Sequence, residues 1–241
     1  MSVGRGPGTL ATADRTGTGP AGSATLVLAR HAETIWHAEN RYAGNLSDID
    51  LTPAGRRQSA QLAAWAAGHH LAAVASSPVR RALETAQPCA DAAGLPLLIC
   101  PDLREVDFGI AEGRTMAEVA QTDPQVVEQF RHDPAGSPFP GGEPPAHAAG
   151  RAAAQLRSLA GDHPEGIVLV VAHNTLLRLA LCALLELPLS RYRTVFPRLD
   201  NAAISEIRIG DEGSGPASLL SLNSRLNTIP EPGPDTIRRT P

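Results

Sequence analysis

Apolar and polar positions along the chain follow two periods in turn. "TLVLA" (25–29), "LAAVASS" (71–77), "LPLLIC" (95–100) and "IVLVVA" (167–172) are short, nearly continuous apolar runs. Such runs predict strands buried on both faces. Between them the spacing is helical. "LTPAGRRQSAQLAAWAAG" opens on Thr52 as N-cap and Pro53 as first helical residue, and closes at Gly68. "PVRRALETAQPCADAAG" predicts a helix opened by Pro78 and ended by Gly94. Residues 115–132 read as one helix, followed by the turn-rich loop "DPAGSPFPGGEPP". An Ala-rich helix over about 146–161 leads into the strand at 167–172, and a further helix runs from about 174 to 187. "AAISEIRI" and "ASLLSLN" close the pattern as strands of an antiparallel edge. Strands alternating with helices predict an α/β fold, a three-layer αβα sandwich with a mainly parallel sheet. Residues 1–23 are rich in Gly, Thr and Ala and predict a disordered leader; from residue 228 a Pro-rich tail predicts the same. The folded domain is expected over 24–227.

Composition narrows this picture. A chain of 241 residues with 42 % hydrophobic content can bury one sizeable core. Aromatics are only 3 %, so Ala, Leu and Val must build that core. A net charge of −4 gives no reason to expect nucleic acid or an anionic membrane as partner. All 21 basic residues are arginine, which excludes Schiff-base and P-loop lysine chemistry. Cys89, Cys100 and Cys182 stand apart, with no CxxC pair and no metal-ligand spacing. They read as small apolar residues of a reducing cytosol. No run reaches the length of a membrane span, and the N-terminus has no continuous apolar stretch of the secretory kind. A cytoplasmic location is the expectation.

Three predicted strand ends carry the unusual residues. The first ends in Arg30-His31, the second leads into Arg80 and Arg81, and the fourth ends in His173. Parallel neighbours deliver these side chains to one rim, where helix N-termini also point their free N–H groups. Guanidinium groups match phosphate oxygens bidentately, so the field points to a phosphorylated ligand. Taken singly, each feature has a plainer reading: a surface pair, a core histidine, a solvated helix charge. Their joint placement at strand ends is what distinguishes them. Arginines in the first turn of a helix oppose its dipole, which suggests that a bound anion compensates.

"LARHAET", "DLTPAGRRQSA", "SSPVRRALETA", "LREVDFGIAEG", "PGGE" and "VLVVAHNTLLR" occur in the order of the histidine phosphatase superfamily, phosphoglycerate-mutase-like branch. The chain resembles that family over about residues 25 to 223. The resemblance implies that His31 attacks phosphorus and becomes a phosphohistidine, while Arg30, Arg81 and His173 hold the phosphoryl oxygens. It assigns Glu105 as the proton donor, with Asp107 and Glu112 as nearby structural carboxylates, and Arg80 as a flanking surface residue. It implies no cofactor and no metal. Thr34, His37, Gly44 and Asn174 fall at positions that contact the substrate; for Thr34 the plainer role is helix N-capping.

Four residues depart from the common pattern. Ala32 and Asn174 stand where glycine is usual, His37 where asparagine is usual, and Ala43 where a polar residue is usual. At position 37 an imidazole would donate a hydrogen bond as asparagine does and add charge when protonated. Residues 102–150 match the variable lid. They read as short in aromatics, which predicts a modest lid, with Glu143 in a loop capping the site. The remaining histidines, His69, His70, His132, His147 and His163, match no motif and predict surface or loop positions. The expected activity is metal-independent hydrolysis of a small phosphorylated metabolite. Two alternatives stand beside it: phosphoryl transfer of the phosphoglycerate mutase type, and a non-catalytic member that binds a phosphorylated ligand. A homodimer is compatible with the resemblance.

Overall fold

The computed structural model describes residues 22–45, 47–210 and 215–226. The predicted leader, up to residue 21, and the predicted tail lie outside these. The order of elements is β1 (Ala24–Arg30), α1 (Ile35–Glu39), α2 (Pro53–Ala67), β2 (Ala73–Ser76), α3 (Arg80–Ala93), β3 (Leu97–Ile99), α4 (Met116–Thr122), α5 (Pro124–His132), α6 (Pro145–Asp162), β4 (Ile167–Ala172), α7 (Asn174–Leu184), α8 (Tyr192–Val195), β5 (Ile204–Ile209) and β6 (Ser218–Ser224). The strands form one sheet in the order β3-β2-β4-β1-β5-β6. β3, β2, β4 and β1 run parallel, and β5 and β6 add the antiparallel edge.

The period-2 alternation of side chains explains why the strand sequences are apolar throughout. Leu26, Leu28, Val168, Val170 and Ala172 point to one face, packed with Leu156 of α6 and Leu177 of α7. Val27, Ala29, Leu169, Val171 and Val74 point to the other, packed with Leu62 of α2 and Ala86 of α3. Each fully buried Leu or Val contributes about 1.5–3 kcal/mol. The alanines of α6, including Ala148, Ala149, Ala152 and Ala153, are buried and present a small-residue face to the core.

Thr52 caps α2 as expected, its Oγ1 accepting the Gly55 N–H at 2.9 Å. Gly94 ends α3 in the left-handed region at φ 67°. Two expectations need correction. Residues 115–132 form two helices, because Pro124 drives Asp123 out of the helical region (φ −138°, ψ 63°) and then starts α5. The helix after β4 stops at Leu184, short of 187, with Glu186 at φ 55° ahead of Pro188. The lid expectation also fails in one respect. Three of the chain's four phenylalanines, Phe108, Phe130 and Phe139, lie in 102–150 and surround Tyr42, with ring centroids 4.9, 6.2 and 5.2 Å from it. Few aromatics overall are concentrated here, and they pin the lid down.

Candidate active site

Parallel pairing sets the floor of the site. β4 lies between β2 and β1, so their carboxyl ends emerge side by side. The His31 N–H donates to the Ala172 carbonyl and the Ser77 N–H to the Val171 carbonyl, which carries the ladder past the strands into the site residues. His31 and His173 consequently lie 5.2 Å apart by ring centroids, both buried.

The His31 ring is oriented by its own turn. Its Nδ1 stands 2.8 Å from the Ala32 carbonyl, which can only accept, so Nδ1 carries the proton and Nε2 the lone pair. Arg81 Nε donates toward that Nε2 at 3.2 Å. Burial, then Arg81 and His173, hold the His31 pKa well below the usual histidine range, so the ring is neutral.

Arg81 is fully buried at the start of α3. The partners that compensate it are carbonyl oxygens rather than an anion: Ala43 at 2.9 Å, Gly44 at 3.0 Å and Ser47 at 3.1 Å. Gly44 therefore acts from behind. It does not line the cleft, its carbonyl holds Arg81, and its N–H is bound by the Glu112 carboxylate at 3.0 Å. Glu112 also accepts from the Ser47 hydroxyl, so it braces this loop. Arg80 is exposed and pairs with Asp50 at 2.6 Å and Glu84 at 2.9 Å, a surface role.

Arg30 ends β1 and lines the cleft. One of its terminal nitrogens donates to the Leu199 carbonyl at 2.8 Å; its Nε is buried with no protein partner. Burial lowers its pKa to about 10, so it stays charged. Its other terminal nitrogen donates to His37 Nε2 at 2.5 Å. His37 therefore differs from expectation. Burial and Arg30 lower its pKa to about 4, and it serves Arg30 as a neutral acceptor. Thr34 is the N-cap of α1, with its hydroxyl 2.9 Å from His37 Nδ1.

Glu105 is buried opposite, against the start of α7. Its Oε1 accepts the Val106 and Leu176 N–H groups at 2.9 Å each, and its Oε2 accepts that of Thr175 at 3.2 Å. Burial raises its pKa, only partly offset by these bonds and by Arg81. Asn174, first residue of α7, lines the cleft with its Oδ1 buried and unpartnered. His173 Nε2 meets the Ser77 hydroxyl at 2.7 Å, while its Nδ1 has no partner.

The cleft above these groups holds about 360 Å³, the size of a small metabolite. Arg30, His31, Thr34, His37, Glu105 and Asn174 line it, joined by Trp36, Tyr42, Phe108, Met116 and Arg193. Arg81 and His173 are fully buried at its base. Glu143 is not a cap: it pairs with Arg151 at 2.8 Å and His147 at 2.7 Å, tying its loop to α6. Sequence reasoning did not identify Ser77, Asn201 or Arg193. Asn201 Nδ2 donates to the His31 carbonyl at 3.0 Å and reaches His37 Nε2 at 3.1 Å. Its only signal was an asparagine just ahead of a strand. Among the described residues no cluster of three metal-ligating side chains occurs. The three cysteines are buried and free. No helix of the described residues is long and apolar enough to cross a membrane.

Comparison with known proteins agrees with this geometry. The family model described as histidine phosphatase superfamily (branch 1) matches residues 26–222. Phosphoserine phosphatase 1 of Hydrogenobacter thermophilus is 33 % identical over 184 residues, covering 76 % of this chain and 86 % of its own. A probable phosphoglycerate mutase GpmB of Yersinia pestis is 33 % identical over 186 residues, covering 76 % and 83 %. Among solved structures, the mycobacterial glucosyl-3-phosphoglycerate phosphatase superposes with a TM-score of 0.75 at 28 % identity, over 84 % of this chain and 99 % of that one. From its strand-end histidines to its family match, the chain belongs to branch 1 of the histidine phosphatase superfamily and is an enzyme of that family.

Proposed function

We propose that this enzyme hydrolyses a small phosphomonoester through a phosphohistidine on His31, without a metal. The observation that carries this reading is the His31 ring: neutral, proton fixed on Nδ1, Nε2 lone pair beside two arginines. In the first step Nε2 attacks phosphorus, an N–P bond forms and the ester P–O bond breaks. Arg30, Arg81 and His173 stabilise the phosphoryl oxygens as charge develops. The departing oxygen takes a proton from Glu105, whose raised pKa suits an acid. Its Oε2, which carries the single, longer bond, is the oxygen to hold that proton. In the second step water attacks phosphorus and returns a proton to Glu105; phosphate leaves and His31 is neutral again. Two relatives named as phosphatases support the hydrolytic outcome. The Yersinia relative's name favours a second reading, return of the phosphoryl group to another hydroxyl.

The test is rapid acid-free quenching with phosphorus-labelled ester, alongside free-phosphate release. Wild-type enzyme is expected to show an acid-labile phosphoenzyme and one phosphate per ester consumed. His31→Ala is expected to lose the phosphoenzyme and to reduce kcat by on the order of 10⁴. Near-normal turnover in that variant overturns the mechanism; conserved phosphate with an isomerised ester supports the mutase reading instead.

A further inference from the structure

The His37 ring lines the cleft, and donors crowd both of its nitrogens. A neutral imidazole has one N–H and one lone pair. Two donors meet at Nε2: Arg30 Nη2 at 2.5 Å and Asn201 Nδ2 at 3.1 Å. A guanidinium can only donate. The Asn201 amide is oriented by the His31 carbonyl, to which Nδ2 donates at 3.0 Å, so it too presents N–H to the ring. Nε2 is therefore the acceptor, and the proton sits on Nδ1. There it faces the Thr34 hydroxyl at 2.9 Å and the Thr34 carbonyl at 3.3 Å, either of which can accept. The Thr34 N–H also approaches Nδ1, at 2.9 Å, and favours the other tautomer. That one neutral amide is outweighed by a charged donor and a second amide at Nε2, since charge-assisted bonds are about twice as strong. With its lone pair on Arg30 and its proton on Thr34, the ring has no N–H left for a phosphate.

Arg30 is held from two sides by the same arrangement. The Leu199 carbonyl takes a hydrogen of Nη1 at 2.8 Å, and His37 takes one of Nη2. The Ala202 N–H donates to the Arg30 carbonyl at 2.9 Å, so the segment ahead of β5 fixes both its main chain and its fork. The Nε–H remains, buried with no protein partner. A buried N–H left unpaired is costly, and a phosphoryl oxygen would satisfy it. Arginine is a flexible side chain; fixing both terminal nitrogens before a ligand arrives removes that ordering cost from binding.

We propose that His37 is a positioning residue that acts on the phosphoryl group only through Arg30: its Nε2 and the Leu199 carbonyl hold the guanidinium with the Nε–H edge open to the ligand, and His37 itself gives the phosphoryl group no hydrogen bond. This rests on the phosphomonoesterase reading and replaces the direct substrate contact that the resemblance implies for position 37. Asn201 ties the same lone pair to the carbonyl of the nucleophile.

Two measurements test this. In enzyme labelled with heavy nitrogen at histidine, two-bond proton–nitrogen correlation spectra distinguish the tautomers, and the ring system missing from His37→Leu assigns the signal. The Nδ1–H form is expected both with and without orthovanadate in the cleft; a proton on Nε2 in either state overturns the proposal. The second measurement is a double-mutant cycle, read as kcat/KM on p-nitrophenyl phosphate and as orthovanadate affinity. His37→Leu is expected to lower both by about tenfold in the otherwise unaltered enzyme, the loss of one bond to a charged group. His37→Gln, whose side-chain oxygen can accept from Arg30, is expected to recover part of that loss. In an Arg30→Ala background His37→Leu is expected to change both by less than about twofold. A tenfold loss that persists without Arg30 means that His37 meets the phosphoryl group itself, and overturns the proposal; an unimpaired His37→Leu enzyme does so too. Coupling in orthovanadate affinity, with no phosphate released from p-nitrophenyl phosphate by the unaltered enzyme, upholds the positioning role while overturning the phosphomonoesterase reading.

Discussion

His31 and Glu105 are buried by the same cleft, yet burial moves them in opposite directions. It removes the charged form of each, lowering the pKa of the imidazole and raising that of the carboxyl group. In the proposed mechanism these shifts favour a neutral nucleophile and a protonated acid, the combination its first step needs. The sign of the pH dependence follows. His31 must be unprotonated, so activity is retained as pH falls through 6.5. Glu105 must be protonated, so loss on the alkaline side comes above the ordinary carboxylate range. A profile of kcat from pH 4 to 8 on glycerol 3-phosphate or a similar alkyl ester is expected to peak on the acid side of neutrality. Glu105→Gln is expected to lower kcat on such an ester by about 10²–10⁴. The loss should be much smaller on p-nitrophenyl phosphate, whose leaving group needs no proton. Equal losses on both esters would remove Glu105 from the acid role. At the same scale, His37 shows what one residue's neighbours can reverse. An imidazole beside a guanidinium and buried with it becomes an acceptor. That outcome depends on Arg30, Thr34 and Asn201 together, and no local pattern contains it.

The loop between α1 and α2 is the element on which Arg81 depends. Helix α3 starts with a buried cation in the place where its dipole is least favourable. The loop turns three carbonyls inward to meet it, and Glu112 holds the loop from the far side. A Cβ on Gly44 would stand 2.2 Å from Glu112 Oε2 and 2.8 Å from the Val106 carbonyl. Gly44→Ala is expected to push the loop off Glu112, destabilising the fold by about 1–3 kcal/mol. It should also lower kcat/KM by disturbing Arg81. Urea unfolding with parallel kinetics checks this; unchanged values in both would mean that the loop does not position Arg81. The helices themselves were legible. Thr52, Pro53 and Gly94 act through local backbone chemistry, so their sequence signals carried over. Splitting residues 115–132 into α4 and α5 was legible too, in Pro124, which a reading of apolar spacing alone passes over.

Across the whole molecule, the neutral histidines link stability to pH. His31 and His173 are buried, with pKa values well below their unfolded ones. A depressed histidine pKa means that the unfolded chain binds the extra proton. The stability these residues leave intact above pH 6.5 is therefore lost as pH falls below it. By pH 5 the unfolded imidazoles are charged while the buried pair still resists protonation, so both contribute to the loss. Glu105, with its raised pKa, works in the opposite sense: it adds stability as pH falls through its raised folded value toward the ordinary carboxylate range, and so offsets part of the histidine loss. Asp200, Glu118 and Glu143, with depressed pKa values, add their losses below the ordinary carboxylate range. The window from pH 7.5 to 5 is thus the histidine window. Urea unfolding at the two ends is expected to show a fall of a few kcal/mol that shrinks when 10 mM vanadate or phosphate occupies the cleft at both pH values. A flat stability between them would show that the imidazoles protonate freely in the folded state.

What the sequence determined by itself is whatever rests on near neighbours along the chain. The apolar runs defined buried strands, capping and proline chemistry bounded the helices, and the motif order gave the family. Local patterning also marked Arg30, His31, Arg81 and His173 as candidates, each at a strand or helix end, whereas Glu105, in the loop after β3, was singled out through the resemblance alone. What only the tertiary structure decided is how distant groups share space. Arg81 donates its hydrogen bonds to carbonyls some 34 to 38 residues away. His37 is made an acceptor by a strand end and by Asn201. Three phenylalanines scattered over the lid close around one tyrosine. Arg193 meets Phe130, 63 residues away in the chain, only because the fold brings α5 and α8 together. Charge balance and burial are sums over everything within a few ångströms, and neighbours in space are not neighbours in the chain.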